Sequence, residues 1–340
     1  MKALLLSQKT YDFEVKDIEK PKVSKSEVLI KLNAAAINHH ELWTLKEKNL
    51  KSDAPILLGS DGAGIIEDVG TEVERLKPGD EVVINPSLNW GEKDRIQSRQ
   101  YEILGFPTRG TFAEYILIGA QYVYPKPEHL SFEEAAALPL AGLTAYRALF
   151  TRGEFEPDSK ILITGIGGGA ALFAMNFAIA SDAEVYVTSS DETKMSKAIE
   201  LGAKGAVNYK NNDWSTELKK MAGGFDIIID SAAGPGFSSL VDLAHPGGRI
   251  ALFGRTAGNI SSLNPRAIFW KQLSIHGTTM GNDQEFKAMM EFISNKNIRP
   301  VIDSVFPPKD INLAFEKMDQ GKQFGKIVMD LNNFSSSFQK

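Results

Sequence analysis

Four glycines crowd one short stretch of this chain: Gly165, Gly167, Gly168 and Gly169. Before them runs Lys160-Ile-Leu-Ile-Thr164, rich in β-branched residues, which reads as a buried strand. After them comes Ala170-Ala-Leu-Phe-Ala-Met-Asn-Phe-Ala-Ile-Ala180, which reads as a buried helix. Strand, glycine turn and helix form the context in which Gly165-x-Gly167-x-x-Ala170 implies a grip on a dinucleotide pyrophosphate. The first glycine permits a tight turn and the second lets backbone approach the phosphates. The small third residue lets helix and strand pack closely. The unpaired N–H groups at the helix start then face the anion.

The next chemistry lies about 20 residues on, where an acid ending the second strand would hold the adenosine ribose of NAD. Here the strand Ala183–Thr188 runs into Ser189-Ser190-Asp191, with Ser189 at the expected acid position. Serine hydroxyls do not repel a 2′-phosphate, and Lys194, one turn into the next helix, can pair with it. This favours NADPH over NADH. Asp191 serves the NAD role if the turn is shifted, whereas Ser190 or Asp191 could simply cap the helix. A further pair, His39-His40, suggests metal at first sight. On an extended or irregular segment neighbouring side chains point apart, and no other histidine is near in sequence, so no metal site is expected. Trp43 reads as core rather than pocket wall.

Stepping outward, 340 residues suit two domains, and 43% hydrophobic with 24% charged residues is ordinary globular composition. A net charge of −5 gives no footprint for nucleic acid or an anionic membrane. The chain has no cysteine, which removes disulfides, thiolate zinc sites and cysteine nucleophiles together. It fits a cytoplasmic protein. The first apolar run is too short for a signal peptide, and no stretch reads as a membrane span.

Residues 1–125 read as mostly β, with strands in Val28–Ile37, Gly59–Val69, Glu81–Asn85 and Phe112–Ile118, and a turn at Leu76–Asp80. Residues 86–110 read as a long loop. Ser131-Phe-Glu-Glu134 has capping-box spacing, and from there helices and strands alternate. Strands are expected at Ala183–Thr188, Phe225–Asp230, Arg249–Phe253 and Leu273–Gly277. Glu192–Leu201 reads as a helix closed by Gly202. Alternation implies an α/β fold with a doubly wound parallel sheet. A helix follows Gly281, a strand covers Lys326–Leu331, and the polar tail 332–340 is expected to fray.

The chain resembles the medium-chain dehydrogenase/reductase superfamily along nearly its whole length. The matching pieces are Pro55-Ile-Leu-Leu-Gly-Ser-Asp-Gly-Ala-Gly64, Leu76-Lys-Pro-Gly-Asp-Glu-Val82, Gly110-Thr-Phe-Ala-Glu-Tyr115, Leu138-Pro-Leu-Ala-Gly-Leu-Thr-Ala-Tyr146, Glu200-Leu-Gly-Ala203 with Val207-Asn-Tyr209, and Gly325-Lys-Ile-Val328. The resemblance implies a GroES-like catalytic domain at 1–125 and 282–340 around a Rossmann domain at 126–281. In the zinc-dependent members three positions supply the catalytic ligands. Those positions fall here on Asn38, Ser60 and Leu140, and the four-cysteine lobe is missing, so the resemblance implies no zinc. The zinc-free quinone-oxidoreductase-like branch, which includes enone reductases, is the better likeness.

Carried over by position, Thr144 approaches the nicotinamide, and Tyr209 and Lys194 lie near the 2′-phosphate. Phe253, Gly254, Arg255 and Thr278 line the cofactor cleft, and Lys326 reaches cofactor or substrate. The His39 position touches the pyrophosphate and the His40 position serves a proton relay, unless both only shape the pocket. A homodimer through Ser274–Gly277 is implied. The expected activity is hydride transfer from NADPH to a quinone or an α,β-unsaturated carbonyl, with Asn38 and His40 answering charge on the acceptor oxygen. The alternatives are an NAD(P)-dependent alcohol or aldehyde oxidoreductase and a non-catalytic NADPH-binding protein.

Overall fold

A computed structural model describes residues 1–7, 12–46, 56–332 and 334. Pro55 of the matched segment and the tail beyond residue 334 lie outside the described residues. The chain divides into two compact units, Met1–Ala141 with Gly281–Lys340, and Gly142–Met280.

The first unit opens with an antiparallel pair, β1 (Lys2–Leu6) and β2 (Phe13–Asp17). The long strand β3 (Glu27–Ala36) follows, then helix α1 (His39–Lys46) and β4 (Asp61–Val69). Next come β5 (Glu81–Ile84), the short pair β6 (Ser87–Leu88) and β7 (Glu102–Ile103), β8 (Tyr115–Gly119) and β9 (Val123–Pro125). Thus 86–110 is a loop carrying one minimal hairpin. Helix α2 (Phe132–Ala136) begins with the expected capping box, with Ser131 and Glu134 satisfying each other's backbone N–H groups. α3 (Pro139–Tyr146) runs from the first unit into the second. The first unit therefore extends to Ala141, beyond the residue 125 at which sequence patterning changes, because α2 packs on β3 and β4.

The second unit contains β10 (Lys160–Ile163), α4 (Gly169–Ala180), β11 (Glu184–Ser189), α5 (Glu192–Glu200), β12 (Gly205–Asn208) and α6 (Trp214–Ala222). It continues with β13 (Phe225–Asp230), α7 (Phe237–Leu243), β14 (Ala244–Leu252), α8 (Pro265–Trp270) and β15 (Ser274–Gly277). Its six strands are parallel in the order β12-β11-β10-β13-β14-β15. This is the doubly wound Rossmann order, and the order in which strands are added reverses between β10 and β13. Ile161–Ile163 and Ile227–Ile229 are buried, each worth about 1.5–3 kcal/mol of removal from water.

The chain then returns to the first unit with α9 (Asp283–Asn295), β16 (Ile302–Phe306), α10 (Ile311–Asp319) and β17 (Lys326–Asp330). The large sheet there has the order β16-β17-β3-β4-β5-β9, with β8 also on β3. One edge of β3 is shared, with β8 pairing residues 27–31 and β17 pairing residues 34–36. The tail differs from expectation at one residue. Phe334 is buried in the core of this unit, because its ring supplies apolar area that the surrounding polar residues cannot. Among the described residues no helix is long and apolar enough to cross a membrane.

Candidate active site

Strand register builds a buried polar group in the first unit. Ala36 on β3 faces Asp61 on β4, and it also faces Val328 on β17. The residues just past the end of β3 therefore meet the first residues of β4 and β17. Asn38, Asp61 and Lys326 converge there, all nearly inaccessible to water. The Lys326 Nζ donates to the Ile37 carbonyl at 3.1 Å, to Asp61 Oδ2 at 3.0 Å and to Asn38 Oδ1. Asn38 Nδ2 donates to the same Asp61 Oδ2 at 2.9 Å. The other carboxylate oxygen of Asp61 accepts the Leu140 N–H at 2.8 Å.

A second buried carboxylate braces this group. Glu41 Oε2 accepts the Asn38 N–H at 2.8 Å, and Oε1 accepts both the N–H and the hydroxyl of Ser60, at 2.8 and 2.7 Å. Glu41 is 1% exposed. Three donors thus satisfy this buried carboxylate. Sequence reasoning missed Glu41 and Asp61 as parts of the site. The legible signal for Glu41 was its spacing, three residues after Asn38, which is the capping-box distance.

That same spacing explains one correction. His39 and His40 do not lie on an irregular segment; they open helix α1. Glu41 reaching back to the Asn38 N–H stabilises that helix start. Both rings are partly buried. Burial, then the positive charges of Lys326 and Lys46, hold the His39 imidazole below its ordinary range, with Asp319 opposing. His39 is thus neutral at pH 7. Trp43 is 46% exposed, so it is not the core residue its type suggested: it sits on the helix's outer face with the Lys46 ammonium 5.4 Å from the ring centre.

The second unit carries the glycine turn. Gly165 and Gly167 have φ of +66° and +126°, values that other residues adopt only with strain. Gly168 caps α4 without any side-chain bond, and a Cβ placed on it would meet nothing within 4 Å. The start of α4, with Gly169 and Ala170 in its first turn, is thus an open cradle of backbone N–H groups. Lys194 lies across this turn, its Nζ 3.3 Å from where a Gly167 Cβ would stand. Lys194, expected near the adenosine 2′-phosphate, thus lies beside the Gly167 turn.

The Ser189–Asp191 segment is resolved into distinct roles. Asp191 is the cap of α5, accepting the N–H groups of Thr193 at 2.8 Å and Lys194 at 3.2 Å. Ser189 is buried, its hydroxyl accepting the Asp191 N–H at 3.2 Å and its carbonyl the Tyr209 N–H at 3.0 Å. Ser190 is partly exposed beside them, and the Tyr209 side chain is 45% exposed. At the strand-order reversal, Thr164 Oγ1 donates to Asp230 Oδ1 at 2.5 Å, and Asp230 Oδ2 accepts the Ala233 N–H at 2.8 Å. This ties the ends of β10 and β13 together.

Phe253 donates its N–H to the Asp230 carbonyl at 3.1 Å and Thr278 donates to the Leu252 carbonyl at 3.0 Å. Gly254 lies so close to Ser231 that a Cβ would stand 2.3 Å from its carbonyl oxygen, and Arg255 is exposed. The Thr278 Oγ1 is buried with no protein partner. An orphaned hydroxyl, a helix-start cradle of backbone N–H groups and a nearby lysine fit a nicotinamide dinucleotide. Thr144 is buried on α3.

A parallel sheet of this order with a glycine-rich β10–α4 turn, in one chain with a GroES-like β unit, defines a nicotinamide-dependent oxidoreductase. The comparisons with known proteins agree. Residues 24–128 match the alcohol dehydrogenase GroES-like domain family and residues 169–295 the zinc-binding dehydrogenase family. The chain is 35% identical to the zinc-type alcohol dehydrogenase-like protein YogA of Leptosphaeria maculans, over 94% of this chain and 95% of that protein. It is 29% identical to the quinone oxidoreductase of Mus musculus, over 92% of each. The crystal structure of an NAD-dependent alcohol dehydrogenase superposes with a TM-score of 0.91 at 34% identity, over 97% of this chain and 99% of that one. The chain belongs to the medium-chain dehydrogenase/reductase superfamily.

The family description brings zinc into question, and the residues that the resemblance matches to its ligands test the fit. Asn38 Oδ1 is taken by Lys326, the Ser60 hydroxyl donates to Glu41, and Leu140 has no side-chain donor. A buried ammonium lies among them. Zinc calls for thiolate, imidazole or carboxylate in tetrahedral array, and this set does not fit it. Lys326 also departs from its expected place. Its three N–H donors match three acceptors inside the cluster, so they are not held out toward a ligand.

Proposed function

We propose that this protein is an NADPH-dependent, zinc-independent reductase of quinones or α,β-unsaturated carbonyl compounds. The observation that carries the reading is the buried Lys326–Asp61–Asn38 group, which holds an ammonium against Asn38, a position the resemblance matches to a zinc ligand. Lacking a strong Lewis acid, such a site suits acceptors that are already electrophilic. The likeness to a quinone oxidoreductase supports the same class.

Gly165, Gly167, Gly168, Gly169 and Ala170 would hold the pyrophosphate, with Thr278 and Phe253 beside the cleft. Lys194, Ser190 and Tyr209 would surround the 2′-phosphate. Asp191 is engaged as a helix cap, which weakens its claim on a ribose and supports NADPH over NADH. When bound, NADPH supplies the hydride and leaves as NADP⁺. In an enone the hydride joins the β-carbon, the C=C pair shifts, and negative charge gathers on the oxygen. Asn38 donates to that oxygen. His40, or water, returns the proton that completes the saturated carbonyl.

The chain is also proposed to pair with a second copy along β15. That strand ends the six-stranded sheet, and Phe269 and Trp270, just before it, are 65% and 75% exposed. An open edge beside exposed aromatics invites association.

The test is steady-state loss of nicotinamide absorbance with NADPH and NADH, each against a small quinone, an enone and an aldehyde. Saturable turnover with NADPH on the first two acceptors is expected. Turnover confined to the aldehyde, or to reverse oxidation of an alcohol, overturns the acceptor class and moves the protein to the alcohol-oxidoreductase reading.

A further inference from the structure

The buried group at the ends of β3, β4 and β17 has a geometry that the acceptor reading alone does not require. Its amide is locked in one orientation. Asn38 Oδ1 faces the Lys326 ammonium, Nδ2 faces Asp61 Oδ2 at 2.9 Å, and the backbone N–H faces Glu41. A flipped amide would set Nδ2 against the ammonium and Oδ1 against the carboxylate, both repulsive. One hydrogen of Nδ2 is thereby engaged, and the second has no acceptor among the described residues.

The lock also polarises. A cation on the amide oxygen draws electron density from the nitrogen and makes its remaining N–H a stronger donor. The carboxylate that opposes this effect divides its charge among three donors: Lys326 Nζ, Asn38 Nδ2 and the Leu140 N–H. The cation itself is 4% exposed, so water screens it little.

We infer that Lys326 and Asp61 act together in place of a catalytic metal: they hold the Asn38 carboxamide as a fixed, charge-backed N–H donor for the oxygen of the reducible carbonyl. This rests on the reductase reading and deepens it. Asn38 is the catalytic residue, and Lys326 and Asp61 are positioning residues that act through it.

The test compares the wild-type chain with Lys326→Met, Lys326→Arg and the charge-neutral double variant Lys326→Met/Asp61→Asn. Single-turnover hydride transfer at saturating NADPH is followed with a quinone and with a series of enones of falling electrophilicity. Lys326→Met should lose about 10–100-fold in rate on the poorest enone, the scale of a weakened oxyanion donor. The loss should shrink toward the quinone, with acceptor KM little changed and NADPH affinity intact. Lys326→Arg should restore the rate to within several-fold.

A merely structural lysine would lower all acceptors equally, and that uniform loss overturns the inference. If Lys326→Met does not fold, the double variant, which leaves no unpaired buried charge, decides by the same dependence on acceptor.

Failure of the reductase reading looks different, since the wild type would then reduce neither quinone nor enone. In that case titration of the purified wild-type chain with Co²⁺ still judges the replacement of metal. No tetrahedral cobalt absorption is expected; a stoichiometric band overturns the inference.

Discussion

Replacing Glu41 with alanine tests whether the charged group at the end of β3 is held from below. The carboxylate receives three donors, the Asn38 N–H, the Ser60 N–H and the Ser60 hydroxyl, at 2.7–2.8 Å. All three are buried with it. Each buried donor left unpaired costs about 1–3 kcal/mol. The three share one acceptor group and relax together, so their costs do not simply add. We expect a loss of about 3–5 kcal/mol, in line with removing one member of a buried charged network. At roughly 2–4 °C per kcal/mol for a unit of this size, the melting temperature should fall by about 6–20 °C. Glu41→Gln should recover only part of this, because its amide nitrogen must face one of the donors. Differential scanning calorimetry reads the unit's transition, and NADPH fluorescence titration reads whether the glycine cradle survives. A loss below about 1 kcal/mol would show that water reaches these donors and would refute the account of the buried network.

Four further outcomes follow from particular residues. Lys194→Ala should weaken NADPH by about tenfold, the scale of one lost charge-assisted bond, and leave NADH unchanged; equal losses for both would remove Lys194 from the 2′-phosphate. Gly167→Ala forces a side chain into φ +126° and against Lys194, a strain of about 1–3 kcal/mol, so cofactor affinity should drop about 10–100-fold by isothermal titration. Burial pushes the Asp230 carboxyl up, opposed by the Thr164 hydroxyl and the Ala233 and Ala232 N–H groups. A carboxyl raised in the folded state takes up a proton on folding, so its burden on stability eases as pH falls through the folded pKa toward the unfolded value. Wild-type stability relative to Asp230→Asn should therefore rise between neutral and mildly acid pH in a calorimetric series. Trp270→Asp should shift a homodimer toward monomer in sedimentation velocity, and an unchanged mass would move the interface away from β15.

The cofactor unit was readable because its signals are local. The β10 strand, the glycine turn and the α4 helix are consecutive, and the φ values of Gly165 and Gly167 follow from residue type. The charged group was harder to read because it depends on register. Nothing near Asp61 in sequence announces that Lys326, 265 residues away, will lie 3.0 Å from it. The family likeness placed Lys326 near a ligand. The structure instead surrounds its ammonium with acceptors, a matter of three-dimensional saturation that no spacing rule records. The helix beginning at His39 was missed for a smaller reason. Its start is stabilised by a glutamate side chain reaching back three residues rather than by a Ser or Thr cap.

The split first unit has a consequence for how the chain is made. Strands β3 and β4 leave the ribosome early, whereas β17, which pairs with β3 and brings Lys326, follows the whole second unit. During synthesis Asp61 and Glu41 therefore wait as two negative charges with no ammonium between the strands. The Rossmann sheet, being continuous in sequence, can close meanwhile. Arrival of β17 then joins the edge of β3 and brings the Lys326 ammonium to Asp61 in one event.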